Sequence, residues 1–414
     1  MRVENGVYQI NYSFNGGATT PVLFPDVPFA PTGPPLSASL HPSGGTAPTV
    51  SAISGGSLVP SFHGLSPNFV PPNAHEISLS VEQLLPAKFT ISVGYVGSRV
   101  LHLPVFLDAN LVGQKPTALR TYNILNSAGA VTSVYTTPFY VPADRSNTSL
   151  GSLNTGFSIA NSWYNSMATT IRRPFDHGLE LLVNYTWSKA LDDDQVSGTY
   201  GTFYGGNPVL DPNNLKAEYG RSDLDVRNRF VGSLVYQPTL YKDNKYVKYL
   251  LDGFVFAGTA TEQTGFPVVA ALSGYPSGGA DGGVTGGVMS SGSGTATAGR
   301  PPQIARNSQP GPGLRDIDFR ISRDFPIHES MHFQVTGEAF NLLNQRLVAG
   351  VNTTYSTYTA ANSTTCTGTA APGATFQGCL SPYISSTAAF GTPNNTNSLI
   401  YGPRQLQISA RFTF

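Results

Sequence analysis

The last ten residues are Gln405-Leu406-Gln407-Ile408-Ser409-Ala410-Arg411-Phe412-Thr413-Phe414, with an apolar side chain at every second position. In an extended strand, Leu406, Ile408, Ala410, Phe412 and Phe414 share one face and the polar residues take the other. A transmembrane barrel strand needs this alternation over about 9 to 11 residues, because one face meets lipid and the other a polar lumen. A half-buried strand at the end of a soluble sheet would show it too, so recurrence decides between them.

Nine further segments repeat the alternation: Val7 to Phe14, His75 to Leu84, Phe89 to Ser98, Trp163 to Arg173, Leu179 to Lys189, Arg227 to Gln237, Leu251 to Gln263, Asp316 to Phe325 and Met331 to Leu342. The cleanest is Leu179 to Lys189, where Leu179, Leu181, Val183, Tyr185 and Trp187 point one way. The expected fold is all-β, an antiparallel meander of about ten strands forming part of a transmembrane barrel. Connections alternate between long (Asn15 to Ala74, Arg99 to Ser162) and short (Leu85 to Lys88), the signature of long outer loops and short periplasmic turns.

Charge placement follows the same parity. Arg172, Glu180, Asp318, Arg320, Glu338 and Arg411 fall on the polar side of their strands, while Arg173, Lys189 and Arg323 fall on the apolar side near strand ends, where long side chains reach the interface. Tyr95, Trp163, Tyr164 and Trp187 form a candidate aromatic girdle at the outer ends, and Phe325, Phe412 and Phe414 one at the inner ends.

The 414 residues are only 12% charged, against the roughly 25% usual for globular chains. Formal net charge is zero, which recruits neither nucleic acid nor an anionic surface. No apolar run approaches the roughly 18 residues of a membrane helix. Met1 to Gly6 lacks the apolar core of a secretion signal; the chain is then a piece of a longer product, or it is not exported.

Cys366 and Cys379 lie in a Thr, Ala, Gly and Pro stretch. They are a candidate disulfide, and closing a loop of about 15 residues would contribute roughly 3 kcal/mol in an oxidising compartment. Ser273 to Arg300 and Val351 to Asn397 are small and polar, as flexible outer loops are.

His328-Glu329-Ser330-Met331-His332 fits the zinc protease pattern, but Pro326 precedes it and a strand begins at Met331. An extended chain would hold the two imidazoles more than about 10 Å apart. Asp192-Asp193-Asp194, Asp211 and Asp223-Leu224-Asp225 are expected to be solvated loop acids rather than a calcium site. No nucleophile with a nominated base, and no cofactor fingerprint, is present; the expectation is a chain without catalytic, cofactor or metal residues.

Several phrases together resemble the barrel of TonB-dependent receptors of the Oar-like type. They are Tyr95-Val96-Gly97-Ser98, Tyr164-Asn165-Ser166-Met167, Tyr185-Thr186-Trp187-Ser188-Lys189-Ala190-Leu191-Asp192-Asp193, Asp225-Val226-Arg227-Asn228-Arg229-Phe230 and Gly337-Glu338-Ala339-Phe340-Asn341-Leu342-Leu343-Asn344. Receptors of this type often carry an N-terminal carboxypeptidase-regulatory-like domain. The resemblance implies an outer-membrane transporter with a barrel of about 22 strands around a plug, of which residues 1–414 would be the C-terminal portion. It implies outer-membrane lipid, the barrel-assembly machinery (reading Phe414), an N-terminal plug, TonB and an unidentified substrate as partners. The competing expectation is a secreted soluble β-rich adhesin or carbohydrate-binding protein.

Overall fold

The computed structural model describes residues 10–13, 59–150, 153–193, 209, 211–238, 252–274, 301, 303–328, 331–361, 363–383, 389–395 and 402–414. Its strands, in chain order, are β1 (Ile10–Ser13), β2 (Val59–Leu65), β3 (Asn73–Leu84), β4 (Thr90–Asp108), β5 (Ala118–Leu125), β6 (Val131–Phe139) and β7 (Leu153–Asp176). Next come β8 (Leu179–Asp192), β9 (Gly220–Arg221), β10 (Asn228–Tyr236), β11 (Phe254–Gln263), β12 (Pro267–Val268), β13 (Ala271–Ser273) and β14 (Gln309–Pro310). The rest are β15 (Leu314–His328), β16 (Met331–Phe340), β17 (Gly350–Val351), β18 (Thr354–Ala360), β19 (Thr375–Pro382), β20 (Pro393–Asn395) and β21 (Gln405–Thr413).

Antiparallel pairs run in the order β3-β4-β7-β8-β10-β11-β15-β16-β21, an up-and-down series of nine. This is the expected meander with one difference. Val7 to Phe14 does not open it: of that segment, residues 7–9 and 14 lie outside the described residues, and β1 pairs with β2, which joins β7 in parallel. The alternation in that segment is real, but a short strand with no neighbour in the series can satisfy its backbone elsewhere.

Short connections gather at one end of the sheet, where they lock one another. Arg173 donates from Nε to the Ala87 carbonyl (3.0 Å) and from Nη1 to those of Asp176 (2.8 Å) and Leu179 (2.5 Å). Lys88 reaches Asp176 across the same gap (2.8 Å). Gly178 has φ +76°, and a Cβ there would stand 2.0 Å from the Gln237 carbonyl oxygen, so only glycine fits.

Long connections gather at the other end and fold together. Three of them supply a second, mixed sheet in the order β13-β18-β19-β5-β6. Tyr122, Leu272 and Leu380 form its core, and burial pushes up the Tyr122 hydroxyl pKa. A disulfide joins Cys366 to Cys379, with an S–S distance of 2.04 Å. The described part of Val351 to Asn397 is therefore not a loose loop, as its composition suggested: it carries β18 and β19, whose backbones are paired. Of Ser273 to Arg300, residues 275–300 lie outside the described residues.

The connection between β8 and β10 is tied to its neighbours by polar side chains. Asn213 donates to the carbonyls of Leu111 and Gln114 (both 3.1 Å) and to the Tyr140 hydroxyl (2.8 Å). Burial pushes that hydroxyl up to about 12. Arg306 donates to the Glu218 carbonyl (2.8 Å) and pairs with the Asp192 carboxylate. Arg221 pairs with Asp225 (2.8 Å). Both carboxylates are fully buried, correcting the expectation of solvated acids: a carboxylate out of water needs a cation and donors, and these loops supply both. Asp194 lies outside the described residues.

Burial pulls the Arg306 guanidinium pKa down to about 10, still well above neutrality. Arg306→Met would leave Asp192 buried without its cation, at a cost of about 3 to 5 kcal/mol. Hydrogen exchange is expected to speed up in residues 218–225 and 303–308 while β7 and β8 stay protected; wild-type exchange in those loops would remove the clamp.

Candidate lipid belt and lumen

Between the strand ends, where the register shifts lie, the ladders carry the apolar parity from strand to strand unbroken. One row runs Leu79, Tyr95, Met167, Trp187, Asn228, and another runs Leu181, Leu234, Gly258, Phe319, Ala339, Leu406. Away from the edge strands, which are exposed on both sides, Met167 (41%), Trp187 (51%) and Leu234 (41%) stand out on this face, whereas Ser166, Ser188, Ser322 and Thr336 on the opposite face are 4–8% exposed. The asymmetry is that of a sheet bent around its polar face, with the apolar face outward. No second layer covers those side chains among the described residues.

Of the terminal-strand residues, Leu406, Ile408, Ala410 and Phe412 align with the outward residues of β16, and Phe414 stacks on Phe412 at 6.1 Å. Tyr95, Trp163 and Trp187 share the outward face; Trp163 meets Tyr219 edge-on at 5.4 Å. Tyr164 does not join them. It stands opposite Ser98 and Ala190, on the polar face, because consecutive strand residues point to opposite sides. The concave face carries the Arg320–Glu338 pair (3.7 Å) with Gln407 beyond Glu338 in the same row, as a water-filled interior requires.

Charged and amide side chains on the outward face mark the height of the belt. On β7 they are Asn165 and Arg173; on β15 they are Arg315 and Arg323. Each pair is separated by eight residues, roughly 27 Å at about 3.4 Å per residue. The row through Arg315 meets β7 at Thr169, four residues below Asn165, and the row through Arg173 meets β15 at Phe319, four residues above Arg323. Both boundaries thus slip one residue per strand, which with a strand spacing of about 4.8 Å gives a tilt of roughly 35°. Tilted so, the apolar stretch is roughly 22 Å tall, close to the band of about 25 Å in outer-membrane barrels. Arg323 lies over the rings of Phe254 (4.8 Å) and Phe325 (4.4 Å), and Arg173 over Phe89 (5.5 Å).

The zinc-like sequence falls on two paired strands: His328 pairs with Met331 through the backbone, and the His332 ring contacts Asp324 (2.7 Å). No group of metal-binding side chains occurs among the described residues. A cavity of about 210 Å³ at the outer ends of β11 and β15 is lined by Glu262, Arg315, Asp316, Asn341 and Arg346, whose charges balance. Sequence reasoning missed Asn341, which at φ +48° receives Gln345 N–H and donates to the Gly402 carbonyl (both 2.9 Å). An asparagine just after an alternating strand was the available signal.

The profile of a family described as "Outer membrane beta barrel domain" matches residues 3–407. This chain belongs to that family, and its place is the outer membrane. A comparison with the curated proteins finds no match. Among solved structures, the outer membrane transporter YddB from Escherichia coli aligns with a TM-score of 0.32 at 9% identity, over 68% of this chain and 30% of that one.

Arginine at Leu181 or Val183 would face hydrocarbon at a cost of about 2 to 4 kcal/mol, and at Glu180 or Asn184 it would face water. The first two variants are expected to lose most outer-membrane assembly on fractionation, and the second two to keep it. Equal losses would dissolve the distinction between the faces.

Proposed function

We propose that these residues form the C-terminal part of the barrel of a TonB-dependent, Oar-like receptor that takes up a solute across the outer membrane. Phrase matches at Tyr185 to Asp193, Asp225 to Phe230 and Gly337 to Asn344 support the family type. The polar concave face suits a hydrated conduit rather than an enzyme, and the joined outer loops suit capture of a solute from outside.

One observation carries the partial-barrel reading. β3 and β21 each have one ladder partner among the described residues, and an odd series of antiparallel strands leaves both free edges running the same way. In hydrocarbon an unpaired edge costs several kcal/mol per group, so the edges must be paired. Direct closure of β3 on β21 would be parallel; an odd number of further strands closes the barrel with antiparallel pairs throughout. Those strands, a plug within the lumen, TonB on the periplasmic side and the assembly machinery acting on Phe414 complete the proposed receptor.

Ser80 and Ser409 lie at matching depth on the concave face, given the stagger of one residue per strand. With Ser80→Cys and Ser409→Cys in the protein of the native outer membrane, no intramolecular disulfide is expected, and efficient bridging would mean that β3 meets β21. Independently, an affinity-tagged copy in energised cells is expected to cross-link to TonB; a copy that purifies free of TonB overturns the receptor reading.

A further inference from the structure

We infer that the outer rim between β4 and β8 holds the phosphate head of an outer-leaflet glycolipid. The inference rests on the lipid belt and not on the receptor reading. Strand pairing aligns Arg99, Trp163, Leu191 and Arg221 in one outward row, and Gly97, Asn165 and Lys189 in the row beneath. Directly below lies the belt, where Leu79, Tyr95, Met167 and Trp187 are 69%, 42%, 41% and 51% exposed. A lipid whose tails cover those side chains therefore places its head at the two rows above.

The other cations on the outward face are satisfied among the described residues. Arg315 has Glu262 at 2.5 Å, Arg221 has Asp225 at 2.8 Å, Arg173 has three carbonyls, and Arg323 lies against two rings. Arg99 and Lys189 are exposed and have no acidic partner among the described residues. The nearby acids among the described residues cannot serve them: Asp192 and Asp225 are fully buried against other cations, and Asp193 is held by Asn161 (3.2 Å) one step further out.

The remaining groups at the rim fit the same head. Arg99 lies over the Trp163 ring, 5.9 Å from its centroid, which fixes the guanidinium at the rim. Asn165 accepts the Tyr95 hydroxyl at Oδ1 (2.6 Å), so its amide NH2 is left to donate. Two free cations and a free amide beside an aromatic platform suit a phosphate monoester, whose charge exceeds that of a zwitterionic head. Arg99 and Lys189 lie two strands and one row apart, with Cα atoms on the order of 12 Å from each other. Two long side chains span that distance around a single head.

The test uses protein extracted from its native outer membrane in mild detergent, with bound lipid counted by native mass spectrometry. Bisphosphorylated lipid A is expected to be retained about tenfold more than its dephosphorylated form, and inorganic phosphate should not displace it. Arg99→Gln with Lys189→Gln should abolish that preference, while Lys216→Gln, an exposed cation of the outer loops, should keep it. Equal retention of the two lipid forms by the wild-type protein overturns the inference even if the double variant fails to assemble. Displacement by inorganic phosphate, or an unchanged preference in an assembled double variant, overturns it as well.

Discussion

In hydrocarbon no water is available to a backbone N–H or C=O, so each must find its partner in the next strand. Once the ladders are complete, register cannot drift: a slip of one residue would turn a whole strand's apolar set into the lumen. The unbroken apolar face from Leu79 on β3 to Leu406 on β21 is the consequence. Rings then settle over the gaps that glycine leaves in that face. A Cβ on Gly232 would stand 3.1 Å from the Phe230 ring, and one on Gly97 2.7 Å from the Tyr95 hydroxyl.

Above the belt the solvent changes, and so does the logic. β4 and β7 continue past the membrane boundary, and there Val105 and Leu107, on the face that Leu103 shares with its ladder partner Ala160, are covered by Val209 and Leu215 from the β8–β10 connection. The same connection and the end of β8 carry the buried carboxylates Asp225 and Asp192, which water would otherwise have solvated. Cross-linking by buried ion pairs and side-chain amides costs desolvation, but it fixes loop positions that a small apolar core of Tyr122, Leu272 and Leu380 could not fix alone.

The membrane strands could be read from the sequence because period-2 alternation is local: each strand declares its own faces. Their pairing order followed from connection lengths. Ends were less visible. β4 and β7 run well beyond Phe89 to Ser98 and Trp163 to Arg173, since the alternation weakens once both faces meet protein. Tyr164 was misplaced for a related reason: adjacent aromatics in Trp163-Tyr164 look like one girdle until the ladder assigns each to its face. The outer loops were least legible. Pairing Thr375 with Arg120 joins segments 255 residues apart, and Arg306 reaches Asp192 over 114. Nothing local in a Gly- and Thr-rich stretch announces such partners.

Depth and parity together explain where charge is tolerated. Arg173 and Arg323 sit on the lipid parity, yet each marks the inner boundary, as the common slip of one residue per strand shows. Each is also turned back on the protein, toward carbonyls or rings, so little of its charge faces tails. Asn165 and Lys189 mark the outer boundary on adjacent strands in one row. A charge on the outward face is therefore a measure of height, and a sheet whose inner and outer marks tilt by the same amount has one membrane orientation that satisfies both.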